Sequence, residues 1–119
     1  MTANSSSPLD AARVAELTEL FGDEGSVREL FDEFFDGLDP RMSALRSGIA
    51  QGRADLVNSA AHAIKGSSAN LGAQAVRECA KMLEELARAS KLQEIEPLLG
   101  RLEGELDRLR SWIAANGLA

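Results

Sequence analysis

Residues 26–51, SVRELFDEFFDGLDPRMSALRSGIAQ, carry the longest helical pattern in the chain. Their apolar side chains recur every three or four positions, as on one face of an α-helix. These residues are Val27, Phe31, Phe34, Leu38, Met42, Leu45 and Ile49. Pro40 does not break the phase, so we predict one long helix bent near Gly37–Pro40, with two separate helices as the alternative. Ser26 is the predicted N-cap, with Glu29 completing a capping box.

Four further segments repeat this apolar spacing between residues that start or stop helices. A short helix is predicted to begin at Ser7-Pro8, where the hydroxyl caps and the proline needs no amide donor, and to end near Gly22. Longer helices are predicted over residues 55–71, 74–90 and 93–116, with Pro97 in the first turn of the last one. The residues predicted to face inward are Val14, Leu17, Phe21, Val57, Ala60, Ile64, Leu71, Val76, Cys79, Ala80, Leu83, Leu86, Ala87, Ile95, Leu99, Leu102, Leu106, Leu109 and Ile113.

These segments predict an all-α protein. No strand-like alternation competes with the helical spacing. Long helices joined by short loops favour an antiparallel up-down four-helix bundle with a short additional N-terminal helix. The Ser-rich residues 1–7 are predicted to be a disordered N-terminus. Residues 8–119 are predicted to form a single domain, in keeping with a chain of 119 residues.

Composition and charge argue against several classes of function. The net charge of -6 argues against a nucleic-acid partner, because phosphate backbones bind positive surfaces. One cysteine, Cys79, and one histidine cannot build a zinc site or an internal disulfide, so we predict no metal and a buried, inert thiol. Neither an apolar run of about 18 residues nor a signal peptide is evident, which predicts a cytoplasmic protein without a membrane segment.

The only histidine, His62, lies on the third predicted helix, within residues 61–73, AHAIKGSSANLGA. It is turned by about 160° from inward-facing Ile64 and is therefore expected to face outward. Histidine is neutral and nucleophilic near pH 7. The residues that share its face are Asn58, Ser59, Lys65, Gly66 and Ala69.

Gly66 is unusual in this position. Glycine inside a helix is less favourable than alanine by about 1 kcal/mol. A glycine at such a position allows another backbone or a ligand to approach the helix closely, which is one physical reason for its presence. The alternative is packing against a neighbouring helix, which the helical phase argues against, because Gly66 lies about 40° from His62.

The pattern His-x-Ile-Lys-Gly-Ser-Ser-x-x-Leu-Gly-Ala resembles the phosphoacceptor segment of histidine-containing phosphotransfer (HPt) domains of bacterial two-component phosphorelays. The resemblance extends as a helix pattern from about Val14 to Leu109. It implies that His62 accepts a phosphoryl group from an aspartyl phosphate of a receiver domain and relays it to another receiver aspartate. It also implies that Lys65 contacts the phosphoryl oxygens and that Gly66 leaves room for the receiver.

The resemblance further points to Glu84, which stands where related domains carry a Gln or Glu that orients the imidazole. A carboxylate that accepts from Nδ1–H fixes the tautomer in which Nε2 is unprotonated and nucleophilic. A solvated surface charge is the alternative for Glu84. Lys81 and Arg88 lie on the same flank and are expected to be ordinary surface charges.

The resemblance implies a phosphoryl carrier rather than an enzyme, since no glycine-rich nucleotide loop of a kinase module is present. The chain is expected to need no cofactor of its own, with Mg²⁺ held by the receiver partner. Expected partners are response-regulator receiver domains, with a hybrid sensor histidine kinase as a further candidate, and the expected state is a monomer. The docking surface is predicted to include Asp36, Leu38, Asp39, Arg41, Ser59, Ala63, Gly66, Ser67 and Ala69, although Leu38 also fits the core.

Two other functions remain as alternatives. A non-catalytic helical adaptor would bind a signalling partner in a groove between helices, and it explains the amphipathic helices equally well. A metal-binding bundle needs inward Glu-x-x-His pairs, but Ser59 stands three residues before His62. The adaptor is therefore the stronger of the two.

Overall fold

The computed structural model describes residues 8–22 and 24–118 and is all-helical across them. The helices are α1 (Ala11–Phe21), α2 (Glu24–Ala50), α3 (Ala54–Leu71), α4 (Gln74–Arg88) and α5 (Glu96–Ala115), with a short 3₁₀ turn over Leu92–Glu94. The predicted all-α class is confirmed. The disorder predicted for residues 1–7 lies outside the described residues, as does the cap predicted at Ser7.

Helices α2 to α5 form the predicted up-down bundle, and α1 packs against α2. Helix α3 packs against both α2 and α4, and α5 packs against α4. Two contacts between α2 and α5 show how these helices run relative to each other. Arg46 pairs with Glu103 at 2.7 Å, and the Arg110 guanidinium lies 4.5 Å from the ring centre of Phe35. Because higher numbers on α2 meet lower numbers on α5, the two helices are antiparallel.

The predicted apolar stripes of α3, α4 and α5 supply the core, together with that of α2. Helix α2 continues through Pro40, so the alternative of two separate helices is wrong. Proline inside a helix costs about 3 kcal/mol. Leu38 and Met42 on either side of it are both buried, and burying each such side chain contributes roughly 1.5–3 kcal/mol. This burial offsets the cost of the proline, and it also places Leu38 in the core rather than on the docking surface.

Two predicted helix starts are wrong. Helix α1 begins at Ala11 instead of Ser7-Pro8, because the Asp10 side chain accepts a hydrogen bond from the Ala12 amide at 3.0 Å and is the actual cap. Helix α2 begins at Glu24, so Ser26 lies inside its first turn and is not the N-cap.

The last two helices also differ from prediction at their ends. Helix α4 stops at Arg88, and Ser90 takes a left-handed backbone conformation with φ 58°. Helix α5 begins at Glu96 rather than residue 93. Pro97 accounts for this start, because proline fits the first turn of a helix and not its interior.

The N-terminal segment is fastened to the end of α3. Gly72 ends α3 in a left-handed conformation with φ 78°, and its carbonyl accepts from the Asp10 amide at 2.9 Å. Arg13 Nε donates to the carbonyl of Asn70 at 2.8 Å. A Cβ on Gly72 would lie 2.7 Å from Cβ of Arg13, so only glycine fits here. The segment that leads into α1 therefore braces the helix that carries His62.

Within the described part of the chain, no helix combines the length and the apolar character that crossing a membrane requires. The same residues contain no group of three or more His, Cys, Asp or Glu side chains placed to hold a metal ion.

Candidate functional site

His62 projects from the outer face of α3, as its phase relative to Ile64 predicts. Its side chain is 68% exposed, whereas Ile64 and Ala61 are completely buried. Nδ1 lies 2.6 Å from Oε2 of Glu84 on α4. An ionised carboxylate can only accept a hydrogen bond, so Nδ1 carries the proton of the neutral ring. Nε2 is then the unprotonated nitrogen.

Glu84 is the centre of the site. Its side chain is only 4% exposed, so it is buried instead of being the solvated charge that was the alternative. Its second oxygen, Oε1, accepts from Lys65 Nζ at 2.7 Å. Arg88 Nη2 lies 3.6 Å from Oε2, and Asn58 Nδ2 donates to the Glu84 backbone carbonyl at 3.3 Å.

The surroundings of Glu84 favour its ionised form. The hydrogen bond from Lys65 is the largest cause that lowers the pKa of this carboxyl, and the hydrogen bond from His62 adds to it. Burial acts in the opposite direction, because it disfavours charge, but the net direction is downward. Glu84 is thus an anion at neutral pH and keeps the Nδ1 proton in place.

Local helix geometry explains why these side chains meet. His62 and Lys65 are three residues apart and lie on one face of α3, and Glu84 and Arg88 are four apart on α4. Glu84 follows Leu83, which is completely buried in the core between helices. Packing of α4 against α3 therefore brings the neighbouring carboxylate next to the His62 ring.

Gly66 is exposed, and a Cβ built on it would have nothing within 4 Å among the described residues. Packing against a neighbouring helix is therefore excluded as the reason for this glycine. Gly48 of α2 is the opposite case. A Cβ there would lie 3.0 Å from atoms of Leu56 and Val57, so this glycine lets α2 and α3 approach closely. Beside His62, by contrast, Gly66 leaves open surface without a neighbouring helix of the described chain against it.

The flank of α3 that faces α2 forms a shallow groove next to His62. Ser59 and Ala63 line it from α3, and Pro40, Arg41 and Ala44 line it from α2. Just beyond these residues, Arg41 Nη1 donates to Oγ of Ser67 at 2.7 Å. The structure therefore brings Ser59 and Ser67 of the predicted docking surface to one flank.

Other predicted docking residues lie elsewhere. Ala69 is exposed on the outer face of α3, and Asp36 and Asp39 are exposed on α2. Lys81 is exposed on α4. These positions agree with a surface role but bring no further side chain to His62.

Four contacts of the site were missed from the sequence, one of them the ion pair between Lys65 and Glu84. Arg88 was expected to be an ordinary surface charge, although its spacing of four residues from Glu84 could have indicated the ion pair. The hydrogen bond from Asn58 and that between Arg41 and Ser67 join different helices. No spacing within one helix indicates such contacts.

Chemically, the arrangement presents an unprotonated imidazole nitrogen to solvent. A buried anion holds the far side of the ring, and the Lys65 ammonium stands one helical turn away on the same face. Such a site can accept a small electrophile from an approaching protein surface. Lys65 can then neutralise anionic oxygens that develop near Nε2.

Comparisons with known proteins point in one direction. The family model of the Hpt domain matches residues 29–112. The crystal structure of histidine-containing phosphotransfer protein B (HptB) from Pseudomonas aeruginosa PAO1 superposes with a TM-score of 0.86 and 30% sequence identity. The match covers 94% of this chain and 96% of that chain. A search of curated protein sequences found no match.

Proposed function

The chain belongs to the Hpt domain family and is a histidine phosphotransfer protein of phosphorelays, and we propose that His62 carries its phosphoryl group. The observation that carries this proposal is the 2.6 Å contact between Nδ1 of His62 and Oε2 of buried Glu84. It leaves Nε2 as the nucleophile on an exposed ring.

The transfer step follows from this arrangement. The Nε2 lone pair attacks the phosphorus of an aspartyl phosphate on a receiver domain, and a P–N bond forms. The P–O bond to the aspartate breaks, and that carboxylate leaves with the electron pair. The imidazole becomes cationic, with its Nδ1 proton held by Glu84. Attack by a second receiver aspartate on the phosphorus reverses these events and releases the neutral ring.

Lys65 assists by charge. Phosphoryl transfer passes through a loose transition state, so catalysis consists of positioning and electrostatic stabilisation. Lys65 is mostly buried and already held by Glu84 near His62. We assign it to the phosphoryl oxygens once the group is bound. Gly66 keeps the space beside His62 open for the receiver backbone.

Hpt domains are phosphotransfer carriers rather than kinases, and they interact with receiver domains and kinases of phosphorelays. We assign the partners of this chain to response-regulator receiver domains and a hybrid sensor histidine kinase. The chain is proposed to act as a cytoplasmic monomer. It needs no cofactor of its own in this scheme, because the receiver supplies Mg²⁺.

The alternative is a helical adaptor that binds a partner without chemistry. The groove between α2 and α3 would suit that role, but an adaptor gives no reason for a buried anion beneath an exposed histidine.

One experiment separates the two functions. Receiver domains phosphorylated with acetyl phosphate are mixed with the wild-type protein or with His62→Gln. We expect acid-labile, base-stable label on the wild type alone, with both proteins folded by circular dichroism because the core residues of α3 are unchanged. Absence of label from every receiver tested, or equal label on His62→Gln, would contradict the proposal and favour the adaptor.

A further inference from the structure

We infer that Arg41 determines partner specificity by binding a carboxylate of the receiver domain at the end of the groove beside His62. The inference rests on the proposed function of His62 and adds the kind of partner surface that the site fits. It is carried by the position of Arg41, by its lack of an acidic partner and by its rigid support.

The groove is continuous with the phosphoacceptor. On a helix of about 100° per residue, Ser59 and Ala63 lie roughly 60° and 100° from His62 on one side. Both residues line the groove, and Arg41 lines it from α2. A receiver that reaches His62 therefore covers this groove. The remaining lining residues are Gly37, Pro40, Ala44, Leu56 and Ala60, which present a mostly apolar floor.

Arg41 differs in its partner from three other arginines of the bundle. Arg46, Arg53 and Arg88 each form an ion pair with a carboxylate. In the described part of the chain, no carboxylate oxygen lies within 4.0 Å of Arg41, although the protein has a net charge of -6. Its partner is the neutral hydroxyl of Ser67. The guanidinium has five N–H donors, so most of them stay available to a ligand.

The guanidinium is also held in place. It is partly buried, and the 2.7 Å hydrogen bond to Ser67 ties it to the helix that carries His62. Its Nη1 lies 3.7 Å from the position of a Cβ on Gly37, so Arg41 lies along the bare surface of α2 at that glycine. A charged group ordered before binding loses less conformational entropy when a partner arrives.

The chemistry of Arg41 selects its ligand. The planar fork of a guanidinium matches a carboxylate with two parallel hydrogen bonds. The groove therefore fits a protein partner with two features. One is an apolar side chain that covers Pro40 and Ala44, and the other is an Asp or Glu that pairs with Arg41. A receiver without that acidic residue leaves the guanidinium desolvated and unpaired, which lowers its affinity.

The test measures transfer from a receiver domain that labels the wild type, phosphorylated with acetyl phosphate, over a range of receiver concentrations. Arg41→Gln is expected to raise the half-saturating concentration about tenfold, the loss typical of an interface charge. The rate at saturation should change little, because His62, Lys65 and Glu84 are intact. Arg41→Lys should restore part of the affinity, and Ser67→Ala should weaken it less than Arg41→Gln.

Arg46→Gln is the matched control, because Arg46 lies on the same helix but pairs with Glu103 of α5. The inference is overturned if Arg41→Gln and Arg41→Lys both bind the receiver as the wild type does, or if Arg46→Gln has an equal effect. Circular dichroism establishes that each variant is folded, and Ser67→Ala tests the same contact with Arg41 in place. Failure of the proposed function is distinct, since the wild type would then take up no label.

Discussion

The buried carboxylate of Glu84 lies 2.6 Å from Nδ1 of His62, so a side chain that is 4% exposed positions one that is 68% exposed. The same carboxylate accepts from Lys65 at 2.7 Å. One anion on α4 therefore fixes both the ring and the ammonium on α3.

Replacing Glu84 should slow transfer without unfolding the protein. In Glu84→Gln the amide oxygen can still accept a hydrogen bond from either His62 or Lys65. The negative charge that holds both side chains is lost. We expect the saturated transfer rate to fall roughly tenfold, and further in Glu84→Ala, because misplaced reacting groups lose rate steeply. Nitrogen NMR of the His62 ring should show a smaller fraction of the Nδ1–H tautomer. Exposed Glu85 is the control, and an equal loss in Glu85→Gln would contradict this role.

Acid should remove the stabilisation that Glu84 provides. The pKa of Glu84 is lowered in the folded protein from its ordinary value of 4.5, chiefly by the hydrogen bond from Lys65. A lowered pKa means that the contribution is complete above 4.5 and is lost as the pH falls through the folded-state pKa below it. Urea unfolding of the wild type and Glu84→Gln should therefore differ at pH 7, and the difference should shrink as the pH falls below 4.5 and through the folded-state pKa. A difference in unfolding free energy that is constant over this range would be inconsistent with the charge effect.

Gly66→Ala should separate stability from function. With nothing within 4 Å of the new Cβ, the variant should gain up to about 1 kcal/mol in helix stability. Phosphoryl transfer from the receiver should nevertheless slow, because the methyl group narrows the approach to His62. Gly100→Ala and Gly104→Ala on α5 are matched controls, since their Cβ positions are equally open. They should raise the melting temperature and leave transfer unchanged, whereas unaltered transfer in Gly66→Ala would argue against the clearance role.

Gly48→Ala should have the opposite effect on stability. Its Cβ would lie 3.0 Å from Leu56 Cβ and 3.1 Å from the Val57 amide nitrogen, and neither atom is the end of a flexible side chain. Helices α2 and α3 must then separate slightly. Overpacking of this kind costs roughly 1–3 kcal/mol. Chemical denaturation should show a lower unfolding free energy, and an unchanged value would mean that the two helices adjust freely.

The bundle was predictable because apolar spacing reports directly which face of a helix is buried. The stripe through Phe31, Leu38 and Leu45 continues across Pro40, and the helix does the same. Helix starts were less predictable, since several polar residues compete for the same role. Asp10 caps α1 because its side chain reaches the Ala12 amide, which composition near Ser7-Pro8 does not reveal.

Within the site, the angular position of His62 was predictable and the depth of Glu84 was not. Spacing gives the direction in which a side chain leaves its helix, but not how closely the next helix approaches. Glu84 follows inward-facing Leu83, so the helical spacing places its side chain at the edge of the buried face of α4. Only the packing of α3 on α4 buries it. The ion pair with Lys65 depends on that same separation between helices.

The hydrogen bond between the Asp10 amide and the Gly72 carbonyl makes two distant parts of the chain neighbours. Through it, the residue that caps α1 holds the C-terminal end of α3, the helix that presents His62. A displacement of Asp10 and α1 therefore acts mechanically on the helix that presents His62. Asp10 thus gives the site mechanical support from the C-terminal end of α3.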